Sequence, residues 1–112
     1  MAKFVFVYHA PAASADAPEP TPEQMEQVMG AWNAWAGKVG AGMVDFGTPL
    51  AGGVRVSADG STATSTREVA GYSIIDAADF DAALALAQGH PHLMMDGGCE
   101  IEVHEALPVP GM

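Results

Sequence analysis

Three of the four histidines and the only cysteine fall in one short stretch: His90 and His92, two apart, then Asp96, Cys99, Glu100, Glu102 and His104. Imidazole, carboxylate and thiolate are ligands for zinc-like ions. Imidazole beside carboxylate can also move protons near neutral pH. The spacing fits no familiar ligand pattern, and Pro91 holds the two histidines apart in an extended turn that disfavours continuing a helix. No metal ligand is therefore assigned, and the plain reading of 90–98 is a solvent-facing connection from a helix to a strand. Cys99 would need a base in contact to serve as a nucleophile, and reads as a small buried residue.

An acid–base site would draw on four residues from three places: His9, Asp45, His90 and His92. Tyr72 could add a hydroxyl and Trp32 an aromatic wall, so these two are the candidate ligand contacts. Glu102 and His104 share one strand face by the two-residue period. Whether the four candidates meet depends on the elements that carry them.

Lys3–His9, KFVFVYH, is a strand in which both alternating sets, Phe4/Phe6/Tyr8 and Val5/Val7, are apolar, so both of its faces should be buried. Residues 10–20 are small, Pro-rich and acidic and read as a loop. Thr21 then caps a helix over 22–40, with Pro22 at its first position and Gln24 closing a capping box. Met25, Val28, Met29, Trp32, Trp35, Ala36 and Val39 recur at helical spacing and predict a sheet-covering stripe.

A strand over 43–50 follows, then a hairpin over 53–65 turning at Asp59-Gly60. A third main strand occupies 68–77. A second helix spans 79–89, capped by Asp76 or Asp79, with Phe80, Ala83, Leu84 and Ala87 buried. The last strand is 100–107, with Ile101 and Val103 facing the core. The order β-α-β, hairpin, β-α-β is that of a ferredoxin-like split βαβ sandwich of the α+β class, with helices on one side of an antiparallel sheet. Its other face is free, so the doubly apolar first strand predicts a homodimer packed sheet to sheet.

Composition narrows the function classes. One domain accounts for all 112 residues. Fourteen carboxylates stand against four scattered basic residues, a net charge of −10. Nucleic acid and anionic membrane surfaces need clustered cations, and are disfavoured as partners. No apolar run approaches the roughly 20 residues of a membrane span, and the N-terminus lacks a signal-peptide core. A single cysteine allows no internal disulfide. A cytoplasmic protein is expected. No GxGxxG or GKS motif occurs, so no cofactor is assigned.

Several stretches, in this order and spacing, resemble the YCII-related proteins and their DGPF-type branch: KFVFVYH, AWNAWAGKVGAGMVDFGTPL, VSADG, GYSIIDAADFDAALALAQGHPHL and GGCEIEVHE. They span nearly the whole chain outside 10–20. The resemblance implies a dimeric α+β barrel. In the better-known branch a histidine inside the first helix pairs with an aspartate near its end. Those places fall near Val28 and Gly40 here, and 23–42 holds no His or Asp. The tetrapeptide that names the other branch is replaced by Asp59-Gly60-Ser61-Thr62.

The resulting expectation is a small dimeric protein with a helix–sheet cleft that takes a small organic molecule and performs cofactor-free acid–base chemistry. The alternatives are a non-catalytic binding or assembly module and, by architecture alone, a cofactor-independent monooxygenase-like barrel.

Overall fold

The computed structural model describes residues 2–11, 21–94 and 98–110. Most of the loop expected over 10–20 lies outside the described residues, as do Asp96 and Gly97. The elements are β1 (Ala2–His9), α1 (Pro22–Val39), β2 (Met43–Asp45), β3 (Val54–Val56), β4 (Thr62–Thr64), β5 (Val69–Ala77), α2 (Phe80–Ala87) and β6 (Glu100–Ala106). Short 3-10 turns at Gly40–Gly42 and Pro91–Met94 follow the two helices.

The main sheet has the order β2-β5-β1-β6, and every neighbouring pair is antiparallel. Each helical crossover therefore skips one strand, which gives the ferredoxin-like α+β fold. β3 and β4 form a separate two-stranded ribbon inserted between β2 and β5. The molecule measures 48 × 43 × 19 Å, and its least dimension is that of one sheet layer under one helix layer.

Strand alternation sorts the side chains into two faces. Phe4, Phe6 and Tyr8 of β1 and Ser73, Ile75 and Ala77 of β5 point to the helices and are buried. Trp35, Ala83 and Ala87 close this core from above, and Trp35 Nε1 donates to the Leu86 carbonyl at 2.8 Å, tying α1 to α2. The opposite set of β1, Val5, Val7 and His9, is only half-buried, so the expected burial of both faces holds for one face of this single chain.

α1 starts as its sequence dictates. Thr21 and Gln24 form the reciprocal capping box. Its apolar stripe is covered only in the C-terminal half. Trp35 is buried, whereas Met25, Val28 and Met29 are 47%, 38% and 51% exposed, because they border an open cleft instead of closing on the sheet.

Two other elements depart from expectation. The strand foreseen over 43–50 pairs with β5 only over Met43–Asp45, with an irregular register, and then touches it once at Pro49 opposite Gly71. Asp45 breaks the run by accepting the Gly47 amide on Oδ1 at 2.8 Å, an Asx-type turn. Gly47 has φ +84°, and a Cβ there would lie 1.7 Å from the Tyr72 carbonyl oxygen, so only glycine fits. In α2, Asp79 is the cap that forms. The helix approaches the sheet through the small Ala83 and Ala87, which leaves Phe80 and Leu84 each 42% exposed.

Candidate functional site

Where the first turns of α1 stand clear of the sheet, a cleft of about 550 Å³ opens. Met25, Val28, Met29 and Trp32 form its roof, Phe46 to Pro49 one wall, and Tyr8, Ala70 and Gly71 its floor, with His92 at one side. The lining is predominantly apolar with few polar groups, the usual make-up of a small-molecule site. A smaller hollow of about 270 Å³ lies beside Trp35 and Lys38 and contains no acid–base pair.

Beneath the cleft runs a directed chain of hydrogen bonds. The His92 amide donates to His90 Nδ1 at 3.0 Å, so this nitrogen is the acceptor and the ring proton sits on Nε2. His90 Nε2 then donates to the Tyr8 hydroxyl oxygen at 3.1 Å. Tyr8 donates to Ser73 Oγ at 2.8 Å, and Ser73 donates to the Phe46 carbonyl at 2.6 Å. Every donor in the chain meets one acceptor, which buried polar groups require.

The surroundings hold this chain neutral. The His90 ring lies 4.3 Å from Trp35, 4.6 Å from Trp32 and 5.0 Å from Tyr8, centroid to centroid. It is fully buried. Burial, followed by the neighbouring His92, pushes its pKa down to about 4. Burial likewise pushes the Tyr8 phenol up to about 12, partly opposed by the bond to Ser73. With both nitrogens engaged inside the protein, His90 is a positioning residue. Its amide-accepting nitrogen sets the backbone at His92, and its ring braces Tyr8.

His92 is arranged differently. Its Nε2 lies 2.8 Å from the His9 carbonyl oxygen, which can only accept, so Nε2 carries the proton and Nδ1 keeps its lone pair. Among the described residues, Nδ1 has no hydrogen-bond partner, and His92 lines the cleft. The pair His90–His92 is thus buried, not solvent-facing: α2 ends at Ala87, Gly89 turns the chain with φ +73°, and the 3-10 turn that follows folds both rings inward against Tyr8. Pro91 separates the two imidazoles as foreseen, but into the core.

The four acid–base candidates do not form one cluster. His9 follows Tyr8 by one residue and so projects from the sheet's other face. There its Nδ1 donates to the Arg67 carbonyl at 2.8 Å and its Nε2 lies 3.1 Å from Glu102 Oε1. His104 Nε2 approaches the same oxygen at 3.3 Å. These two imidazoles, His104 first, hold the Glu102 carboxyl below the usual glutamate range. Asp45 builds the turn at Gly47, and its second oxygen accepts from the Tyr72 hydroxyl at 3.2 Å. That contact raises the Tyr72 pKa. Tyr72 lies opposite Val7 in the register, which places its ring on the open face, while its backbone carbonyl backs Gly47 under the cleft wall. Trp32 does line the cleft. Among the described residues no group of three or more His, Cys, Asp or Glu is placed to hold a metal ion.

Tyr8, Ser73 and Phe46 are the site residues that sequence reasoning missed. Two signals bore on them. Tyr8 falls in the buried phase of β1, and Ser73 is a lone hydroxyl in an apolar strand, where a buried polar group must find a partner.

No curated protein matches this chain. A family model, that of the YCII-related domain, matches residues 1–106, a span that takes in every strand, both helices and all the residues of the cleft and of the chain beneath it. With the ferredoxin-like topology already in place and the match running from the first strand through the last, the chain belongs to the YCII-related family.

Proposed function

We propose that this protein is a cytosolic homodimer that binds a small, uncharged, largely apolar organic molecule in the cleft between α1 and the sheet, and that His92 Nδ1 exchanges a proton with it. The carrying observation is an imidazole lone pair with no hydrogen-bond partner among the described residues, on a side chain that lines a predominantly apolar chamber. His92 is fixed as the Nε2–H tautomer by the His9 carbonyl, leaving Nδ1 as an acceptor on a ring packed against Tyr8 and lining the same cleft as Trp32. Among the described residues no Lys, Arg, Asp or Glu lines the cleft, which argues against a carboxylate, phosphate or ammonium ligand. A neutral molecule that donates a hydrogen bond fits, and a carbon or oxygen acid could give that proton to Nδ1. The dimer is supported by the open face, where Val5, Val7, Ile74 and Tyr72 are half-buried by their strand neighbours alone.

Nile red, an uncharged apolar dye, tests the cleft. It should bind once per chain with a rise in fluorescence and quenching of Trp32, and Val28→Trp, which fills the chamber, should abolish binding while leaving the fold intact. Dye binding that survives Val28→Trp would remove the cleft from consideration. A second reading, binding without turnover, has its own support: among the described residues that line the cleft, His92 is the one titratable group besides two tyrosines. His92→Asn separates the two readings, because it should leave dye affinity near the native value and abolish solvent-proton exchange into bound carbon acids.

A further inference from the structure

Among the described residues nothing covers the β3–β4 ribbon. Every residue from 48 to 64 is exposed, and β3 and β4 pair with each other alone. The ribbon is nonetheless well specified. Gly60, at φ +88°, makes the turn, and Asp59 Oδ1 accepts from both the amide and the hydroxyl of Ser61, at 2.9 and 2.7 Å. Val54 pairs with Thr64 and Val56 with Thr62, so one face is wholly β-branched, with Val54 and Val56 exposed by 62% and 69%. A two-stranded ribbon is marginal in water without a third strand or another layer. No described residue outside the ribbon supplies that layer.

A second copy is the occupant that the rest of the fold favours. Among the described residues the sheet's open face is uncovered as well, and the ribbon is continuous with its edge. Leu50 donates to the Ala70 carbonyl at 2.9 Å, and Pro49 bridges Gly71, which roots the ribbon at the end of β5. The open face's strands of 3, 9, 8 and 7 residues, about 4.8 Å apart and rising about 3.3 Å per residue, present roughly 430 Å² in projection. A stable interface takes about 800 Å² from each partner. An arm laid on the neighbouring copy adds to the area that the open face can bury. One two-fold axis then covers both exposed surfaces at once.

We propose that the hairpin Val54–Thr64 is an arm that clasps a second copy of this chain beyond the open sheet face. The inference rests on the homodimer reading above. The test is sedimentation velocity of the full chain over a concentration series, with two variants. Val54→Thr with Val56→Thr keeps the β-branched backbone preference but removes the apolar contact; Val7→Lys charges the sheet face. The clasp predicts a native dimer, a dissociation constant at least tenfold weaker for the paired threonine variant, and an unchanged circular dichroism spectrum. A native dimer dissociated by Val7→Lys but untouched by the threonine pair overturns the clasp and leaves the sheet-to-sheet dimer standing. A native monomer at micromolar concentration overturns both.

Discussion

Tyr8 and His9 are neighbours in β1, yet they end in different solvents. Tyr8 points under the helices, where His90, Ser73 and the Phe46 carbonyl use up every donor and acceptor in a dry chain. His9 points the other way, to a row in which Glu102, 59% exposed, lies between two imidazoles. The same residue types thus have opposite physics on the two sides of one sheet. Under the helices a histidine is held neutral and immobile by burial. On the open face the carboxylate is held ionised, and water screens the pair. Chemistry-bearing residues close together in sequence are consequently poor guides to a shared site when they lie on a strand, because adjacent positions face apart.

The largest effect that can break this contrast comes from His90. His90→Ala leaves a cavity among Trp32, Trp35 and Tyr8 and strips the His92 amide of its acceptor. We expect a loss of about 3 kcal/mol in urea unfolding, while His9→Ala stays close to native. Equal losses at the two positions would end the distinction between the faces.

The pH dependence of stability sharpens it. His90 titrates near 6.5 when unfolded and near 4 when folded. Its contribution is therefore complete above pH 6.5 and is lost as the pH falls toward 4, by up to about 3 kcal/mol. Glu102, also lowered in the fold, acts below the ordinary glutamate pKa near 4.3. The interval from pH 6.5 to 5 thus reports histidine titration, and the downward slope there should disappear in His90→Ala. A slope that persists unchanged in this variant would show that other groups cause it.

Tyr8→Phe is expected to be milder. It leaves the ring packing in place but removes the acceptor for His90 Nε2–H and the donor to Ser73, a cost of about 1–2 kcal/mol for buried groups left unpaired. It should also lessen the decline in stability between pH 10 and 12 that ionisation of the unfolded Tyr8 would bring, given a folded phenol near 12, leaving the part due to Tyr72, whose pKa Asp45 raises.

Much of the fold was legible because local chemistry and global pattern agreed. The Thr21–Gln24 capping box, the Asp59-Gly60 turn and the strand content of KFVFVYH each name their own structure. The cleft was not legible. Met25, Val28 and Met29 satisfy the same helical period as Trp35, and periodicity cannot tell a side chain that meets the sheet from one that roofs a void. The site was half legible. His90 and His92 stood out by type, but that they lie indoors depends on a 3-10 turn folding back against Tyr8, a tertiary contact with no local signature. Asp45 looked like an acid and is a turn-former, because Gly47 follows it by two residues and offers its amide.

The smallest expected effect tests the wet side directly. Glu102 lies within hydrogen-bond distance of His9 and His104 in a row that water reaches, and exposed pairs of this kind contribute little. Glu102→Gln keeps the shape and one acceptor oxygen, so the urea midpoint of the isolated chain should not move measurably. The dimer is another matter. If a second copy covers the open face, the same pair is drawn out of water, where losing one charge leaves its partners unpaired. Glu102→Gln should then change the dissociation constant while leaving single-chain stability unmoved. An unchanged constant would place Glu102 outside the interface, and a large drop in single-chain stability would mean that the open face is drier than its exposure indicates.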